Sequence, residues 1–407
     1  MEKSNSSPTE FNSPKFGNIE SLRPPDMPKG KLFRRETSER LVERPKQNHQ
    51  KYSWGEPGDI AREAIDKKID YLNSVVNKYP LPLFPENKLK EIEKFIHELG
   101  MDTKPVFFLK NDDIEEFKYE GLEGDLGGRH DYILDVVLIN ADSADSYRGA
   151  ELLLEGTIVH ELTHSSSQND LVFNFQKESN KVDIGQGGRS GMQTMLEKNS
   201  ELPIVMGEAF EEGFSDYVRL LYLQHISFDP LSYIEPGEDK YAFITPKQSE
   251  FFNSVKSYSL KNQRKIDAAN TQEERAVILK NILTKIDFKN KIIYLNPRLL
   301  NVRKDSREGT AAMSTGVGYP LLAESFELLI LEDPTILQSF IRARKNAEGL
   351  REIAKKLNSI EPGLYIKLRN LKSKIEDEFE FYKTLVEALD RKYFSDGHSE
   401  KNEQTEE

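Results

Sequence analysis

The chain has 407 residues, 37% hydrophobic and 31% charged, with no cysteine and one tryptophan. That is enough for one large or two ordinary domains and too apolar for a chain disordered throughout. Lack of cysteine rules out a disulfide framework, a thiolate metal site and a cysteine nucleophile, which leaves imidazole and carboxylate as the only strong metal ligands. The net charge of −12 has the wrong sign for a protein that mainly neutralises phosphate, so neither nucleic acid nor an anionic membrane is an expected partner.

Residues 1–57 hold seven of the 19 prolines and almost no clustered hydrophobics. Such a segment buries too little surface to offset its ordering entropy, and a disordered arm is expected there. Its one basic cluster, Lys29–Arg35, reads as a solvated tether. No apolar run approaches about 18 residues, and the first residues carry no apolar core of an export signal; a soluble cytoplasmic protein is the expectation. Ordered structure should begin near Asp59. Ile60, Ala64, Ile65, Ile69, Leu72, Val75 and Val76 recur at helical spacing until Pro80, and a second helix follows Pro85 and ends at Gly100. Pro105–Leu109 and Tyr132–Ile139 are short β-branched or aromatic runs and read as strands.

The informative segment comes next, Gly149 to Ser167. Asp145 or Ser146 can cap a helix running to about Ser166, with Leu153, Leu154, Ile158, Val159 and Leu162 on its buried side. His160 and His164 are then one turn apart at nearly the same azimuth, and both imidazoles can reach one metal ion. Glu161 leaves the helix about 100° away from His160, a placement suited to taking a proton from a bound water rather than to ligation. At this composition a His-Glu-x-x-His pattern arises by chance only about 0.02 times. The alternative is a helix whose two histidines merely occupy a partly exposed edge.

A third histidine on the same segment is excluded, because Ser167 and Asp170 stand where the longer His-Glu-x-x-His-x-x-Gly-x-x-His pattern needs Gly and His. Downstream, Leu202–Leu221 reads as a helix starting near Pro203, with Glu208, Glu212, Ser215 and Asp216 along one stripe. Carboxylates beside apolar residues are costly to bury unless paired or metal-bound. Glu208 and Glu212, also one turn apart, are rival ligands. Glu212 is favoured because only it has both the Gly-Phe-Ser-Asp context and an acidic partner, Asp216, four residues on.

His160-Glu-Leu-Thr-His164 followed by Glu212-Gly-Phe-Ser-Asp216 resembles the gluzincin group of zinc metallopeptidases. Thermolysin-like enzymes carry a similar Glu-x-x-Ser-Asp and zinc aminopeptidases a similar Glu-Gly-Phe. The resemblance covers roughly residues 132–222. It implies His160, His164 and Glu212 as zinc ligands, Glu161 as general base and Asp216 as the carboxylate orienting a ligand histidine. Forty-seven residues separate His164 from Glu212, more than in the thermolysin type; within them Gly185–Gly191 reads either as a turn or hairpin near the cleft or as a plain surface loop. Gluzincins usually add a Tyr or His that donates to the developing oxyanion, and Tyr319 is the first candidate, before Tyr241 and His225. His49, His97, His130 and His398 have no partner pattern. Val136–Ile139 precedes the metal helix, as the edge strand that aligns an extended peptide does in such enzymes, with an ordinary buried strand as the equal alternative.

Residues 236–320 show only a strand-like Lys291–Leu295 and the small-residue stretch Gly309–Gly318. Helical periodicity returns from Leu321 to Phe394, interrupted at Pro334 and Pro362-Gly363, and residues 395–407 should form a disordered tail. The expected architecture is a predominantly helical α+β protein, with a zincin-like catalytic domain over residues 58–235 and a mixed, then helical, region over 236–394. Its expected activity is zinc-dependent hydrolysis of peptide bonds in a peptide or protein substrate. A zincin-fold binding protein that no longer cleaves, and a zinc hydrolase of a non-peptide amide or ester, are the alternatives.

Overall fold

The computed structural model describes residues 67–75, 86–110, 112–113, 127–131, 134–140, 151–167, 169–176, 181–198, 201–226, 255–257, 265–266, 268–290, 292–295, 300–304, 311–315 and 319–394. The expected arm and tail, the Asp145 or Ser146 cap, Tyr241, His49 and His398 lie outside them.

Residues 67–75 are helical. Helix α1 (Glu86–Glu98) follows Pro85 and closes at Gly100, whose φ of +82° is the left-handed conformation of a helix C-terminus. Strand β1 (Val106–Leu109) is buried along its whole length. Next come β2 (Gly128–Asp131) and β3 (Val136–Asn140). The single strand expected over Tyr132–Ile139 does not form, because the chain reverses just before Val136: the Leu134 amide donates to Asp131 at 2.8 Å, and Asp135 adopts a φ of +59°. Asp tolerates that conformation better than a bulkier residue, and Lys104 and His130 pair with its carboxylate at 2.8 and 3.2 Å. The three strands form a sheet of order β1-β3-β2, with β3 parallel to β1 and antiparallel to β2. Val136–Ile139 is thus in the central, fully buried strand, and the outer position beside the next helix belongs to β2.

Helix α2 (Glu151–Ser165) packs across this sheet, burying Leu154, Ile158, Val159 and Leu162. A four-stranded antiparallel sheet follows, in the order β4 (Asn169–Gln176), β5 (Lys181–Ser190), β6 (Gln193–Lys198) and β7 (Glu201–Met206). Two expectations are decided here. Gly185–Gly191 is not a plain surface loop but the end of β5 and the start of the tight turn at Gly191-Met192 that leads into β6, the hairpin alternative, and Pro203 lies in β7, with the helix beginning only at Glu208. Pro203 is accommodated because β7 is the last of the described strands in its sheet and pairing slips there between Leu196 and Lys198; a residue without an N–H fits such an edge.

Helix α3 (Glu208–His225) starts after Gly207, which has a φ of +83°. The described strands β8 (Val255–Ser257) and β9 (Ile293–Leu295) pair in parallel, and helix α4 (Gln272–Leu283) opens with a capping box between Thr271 and Glu274. β10 (Leu300–Lys304) pairs with β11 (Ala311–Thr315), part of the small-residue stretch. The remaining helices are α5 (Pro320–Glu332), α6 (Ile336–Lys345), α7 (Ala347–Ile360), α8 (Leu364–Arg369) and α9 (Ile375–Phe394), with breaks at Pro334 and Pro362-Gly363 as expected.

The result is a predominantly helical α+β architecture with small sheets. One hydrophobic core joins α1, α2 and α3 to the C-terminal helices. Its centre is aromatic: Phe326 and Phe340 have ring centroids 4.6 Å apart, and Phe210 meets Phe381 edge-on at 5.5 Å. Gly213 lets α5 approach α3 closely, since a Cβ there would come within 2.8 Å of Leu322 and Phe326. No helix of the described residues is long and apolar enough to cross a membrane.

Candidate metal centre

Helices α2 and α3 cross, and at the crossing three donor atoms converge. The Nε2 atoms of His160 and His164 are 2.9 Å apart, and Glu212 Oε2 lies 3.3 Å from the first and 3.2 Å from the second. Among the described residues no other group of three or more His, Asp or Glu side chains converges in this way. Three ligands on a tetrahedron of about 2.0–2.1 Å bonds are about 3.3 Å apart, so the triangle has the size that a metal centre needs.

The tautomers fit as well. Asp216, fully buried, stands 2.8 Å from His160 Nδ1 through Oδ1. Glu211 stands 3.3 Å from His164 Nδ1, with Ser215 Oγ at 3.5 Å. When the Nδ1 protons are donated to these neighbours, both Nε2 lone pairs face inward toward a carboxylate. Three electron-pair donors pointing at one another are stable only around a cation. Burial alone would lower both imidazole pKa values. Asp216 and Glu212 override it and hold His160 well above its ordinary value, and Glu212 with Glu211 lifts His164 to about 9. Burial would likewise raise the Glu212 carboxyl, but the two imidazoles hold it far below the usual range.

Glu161, half-buried, lies against the outer strand β2 and close enough to His160 for its charge to be felt there. A Cβ at Gly128 would come within 3.0 Å of Glu161 Cγ and 2.9 Å of Ile139 Cδ1, so glycine at that point of β2 leaves room for the Glu161 side chain. Tyr319 is brought to the cluster from the start of α5: its backbone N–H donates to Asp216 Oδ2 at 2.8 Å. Burial first, then the charge of Glu212, push the Tyr319 phenol pKa up, while its hydrogen bond with Ser373 acts against them. The phenol is therefore a neutral hydrogen-bond donor at any ordinary pH.

Glu208, the rival ligand, is not in the cluster; its carboxylate accepts from the Ser373 hydroxyl. His225 is at the far end of α3, its ring 5.4 Å from that of Phe95. His97 is near Thr103 at 3.2 Å, and His130 pairs with Asp135. Two residues escaped the reading of the sequence: Glu211 and Arg344, the latter from α6, with its Nη2 2.7 Å from Glu211 Oε1. Glu211 did leave a signal, since it precedes Ser215 by one turn as Glu212 precedes Asp216. Arg344 left a faint one: it continues the helical stripe of Ile336 and Phe340, which the exposed Arg342 does not.

Comparison with known protein families, with curated proteins and with solved structures finds no match to this chain.

Proposed function

We propose that the chain is a zinc-dependent metallopeptidase of the zincin type, with His160, His164 and Glu212 as the metal ligands. The observation that carries this reading is the convergence of two oriented imidazoles and one carboxylate to 2.9–3.3 Å, with Glu161 close by and outside the ligand set. Two nitrogens and one oxygen leave a fourth position open, the arrangement of catalytic rather than structural zinc. Bound there, zinc would supply a Lewis acid that polarises a scissile carbonyl and makes a water acidic near neutral pH.

The chain's own residues supply the rest. Glu161 accepts the proton of the attacking water and delivers it to the leaving amine. Asp216 holds the His160 ring in the tautomer that presents Nε2. Tyr319 donates to the oxygen on which negative charge develops. The outer strand β2, which runs beside Glu161, aligns an extended peptide by strand addition, a role assigned to β2 because Val136–Ile139 is interior.

A peptide library incubated with purified protein tests the proposal. Cleavage is expected, abolished by a chelator and restored by zinc; no cleavage by zinc-loaded protein would favour the non-cleaving or non-peptide alternatives. Tyr319→Phe keeps the ring and the amide bond to Asp216 and removes the donor. A kcat loss of roughly 10²-fold with KM little changed is expected, the usual effect of removing one oxyanion donor, and it is checked by steady-state kinetics on the best library peptide.

A further inference from the structure

Glu211 is 3% exposed and accepts from four donors. Oε1 lies 3.3 Å from His164 Nδ1, 3.0 Å from Ser167 Oγ and 2.7 Å from Arg344 Nη2, while Oε2 takes the Met192 amide at 3.0 Å. Those donors come from the end of α2, from the β5–β6 turn and from α6. Gly191 makes the turn possible: its φ is +54°, and a Cβ there would come within 2.5 Å of Glu211 Oε2. Arg344, 1% exposed, also donates from Nη2 to the Thr163 carbonyl, immediately before His164 in the chain, and its guanidinium carbon is 5.3 Å from the centre of the Phe214 ring.

We infer that Glu211 and Arg344 are positioning residues for His164, so that capture of the metal depends on docking of the C-terminal helices. The inference rests on the metal reading above. Arg344 grips the histidine from two sides, through the backbone carbonyl that precedes it and through the carboxylate against its ring. Among the described residues His160 has no counterpart of this kind: its orienting Asp216 is held by the Tyr319 amide. The two histidines therefore depend on different parts of the C-terminal region, His160 on the start of α5 and His164 on the end of α6. A ring whose Nδ1 loses its acceptor also loses its tautomer preference and its orientation, and outer partners of this sort usually carry 10–100-fold in metal affinity.

The test measures zinc affinity by chelator competition and the visible spectrum of the cobalt-substituted protein, with circular dichroism and thermal melting of the metal-free chain alongside. Glu211→Gln and Arg344→Met are each expected to weaken zinc binding about 10–100-fold and to change the cobalt spectrum, with Arg344→Lys recovering part of the loss. Val106→Ala, in the buried strand β1, should lower the melting temperature while leaving zinc affinity and the cobalt spectrum at wild-type values, which separates positioning from general destabilisation. If Arg344→Met does not fold, Glu211→Gln and Arg344→Lys decide the question. Wild-type protein that binds zinc, with folded variants that bind it equally well, would overturn this inference alone. A wild-type chain that takes up no metal overturns the metal reading and this inference together.

Discussion

Glu161→Gln is expected to bind metal as the wild type does and to lose peptide hydrolysis by roughly 10²–10⁴-fold, the usual contribution of a positioned general base. The substitution is nearly isosteric. Its Cγ keeps the space beside Gly128 and Ile139, and none of the three converging donor atoms belongs to it. An amide cannot accept the proton that a carboxylate accepts, so the chemical step alone should suffer. Metal content and single-turnover rates measured on the same preparation check both halves of the expectation. A glutamine variant that cleaves at the wild-type rate would end the catalytic assignment.

The second large effect concerns the ligands. His160→Ala and Glu212→Ala should each empty the site, with affinity falling by more than the roughly 100-fold that bounds the loss of an outer partner, and hydrolysis should disappear with the metal. Glu208→Ala should retain it, because that carboxylate is bonded to Ser373 rather than aimed at the imidazoles. Elemental analysis after dialysis against a weak chelator reads all three. Metal loss from Glu208→Ala with retention by Glu212→Ala would mean that the two acids exchange roles. The Glu212 change also removes the charge that helps lift the imidazole pKa values, so the emptied histidines should titrate lower than those of the metal-free wild type.

What the sequence disclosed followed the strength of local signals. Pro85 and Gly100 bracket α1, and Pro334 and Pro362 end helices in the way their missing N–H demands. His160, His164, Glu212 and Asp216 were legible because helical geometry alone places each pair one turn apart. Where reading failed, tertiary context overruled a local cue. Pro203 looked like the first residue of a helix, yet an edge strand accepts it equally well. Gly185–Gly191 read as a hairpin turn or as a plain loop, and only Gly191 is in the turn. In the fold Gly185 and Gln186 pair with Val172 and Leu171, and the register shift next to Asn169 absorbs the glycines that follow, a bulge that small residues permit. Arg344 was missed for a different reason: periodicity puts it on the buried face of α6, but its partner Glu211 lies more than a hundred residues away in the chain and nothing local points to it.

The sheet β4–β7 occupies most of the 47 residues between His164 and Glu212. Tethering two ends of a chain becomes only slightly harder as the tether grows, by about 0.6 kcal/mol for each doubling. The interval between the halves of such a centre is thus almost free to drift, and recognition rules that demand a fixed count between imidazole and carboxylate would pass over proteins built this way. An excision of those hairpins has to preserve the Met192 amide where it meets Glu211, the Met192 side chain buried in the core and the bond of Thr194 to Arg369.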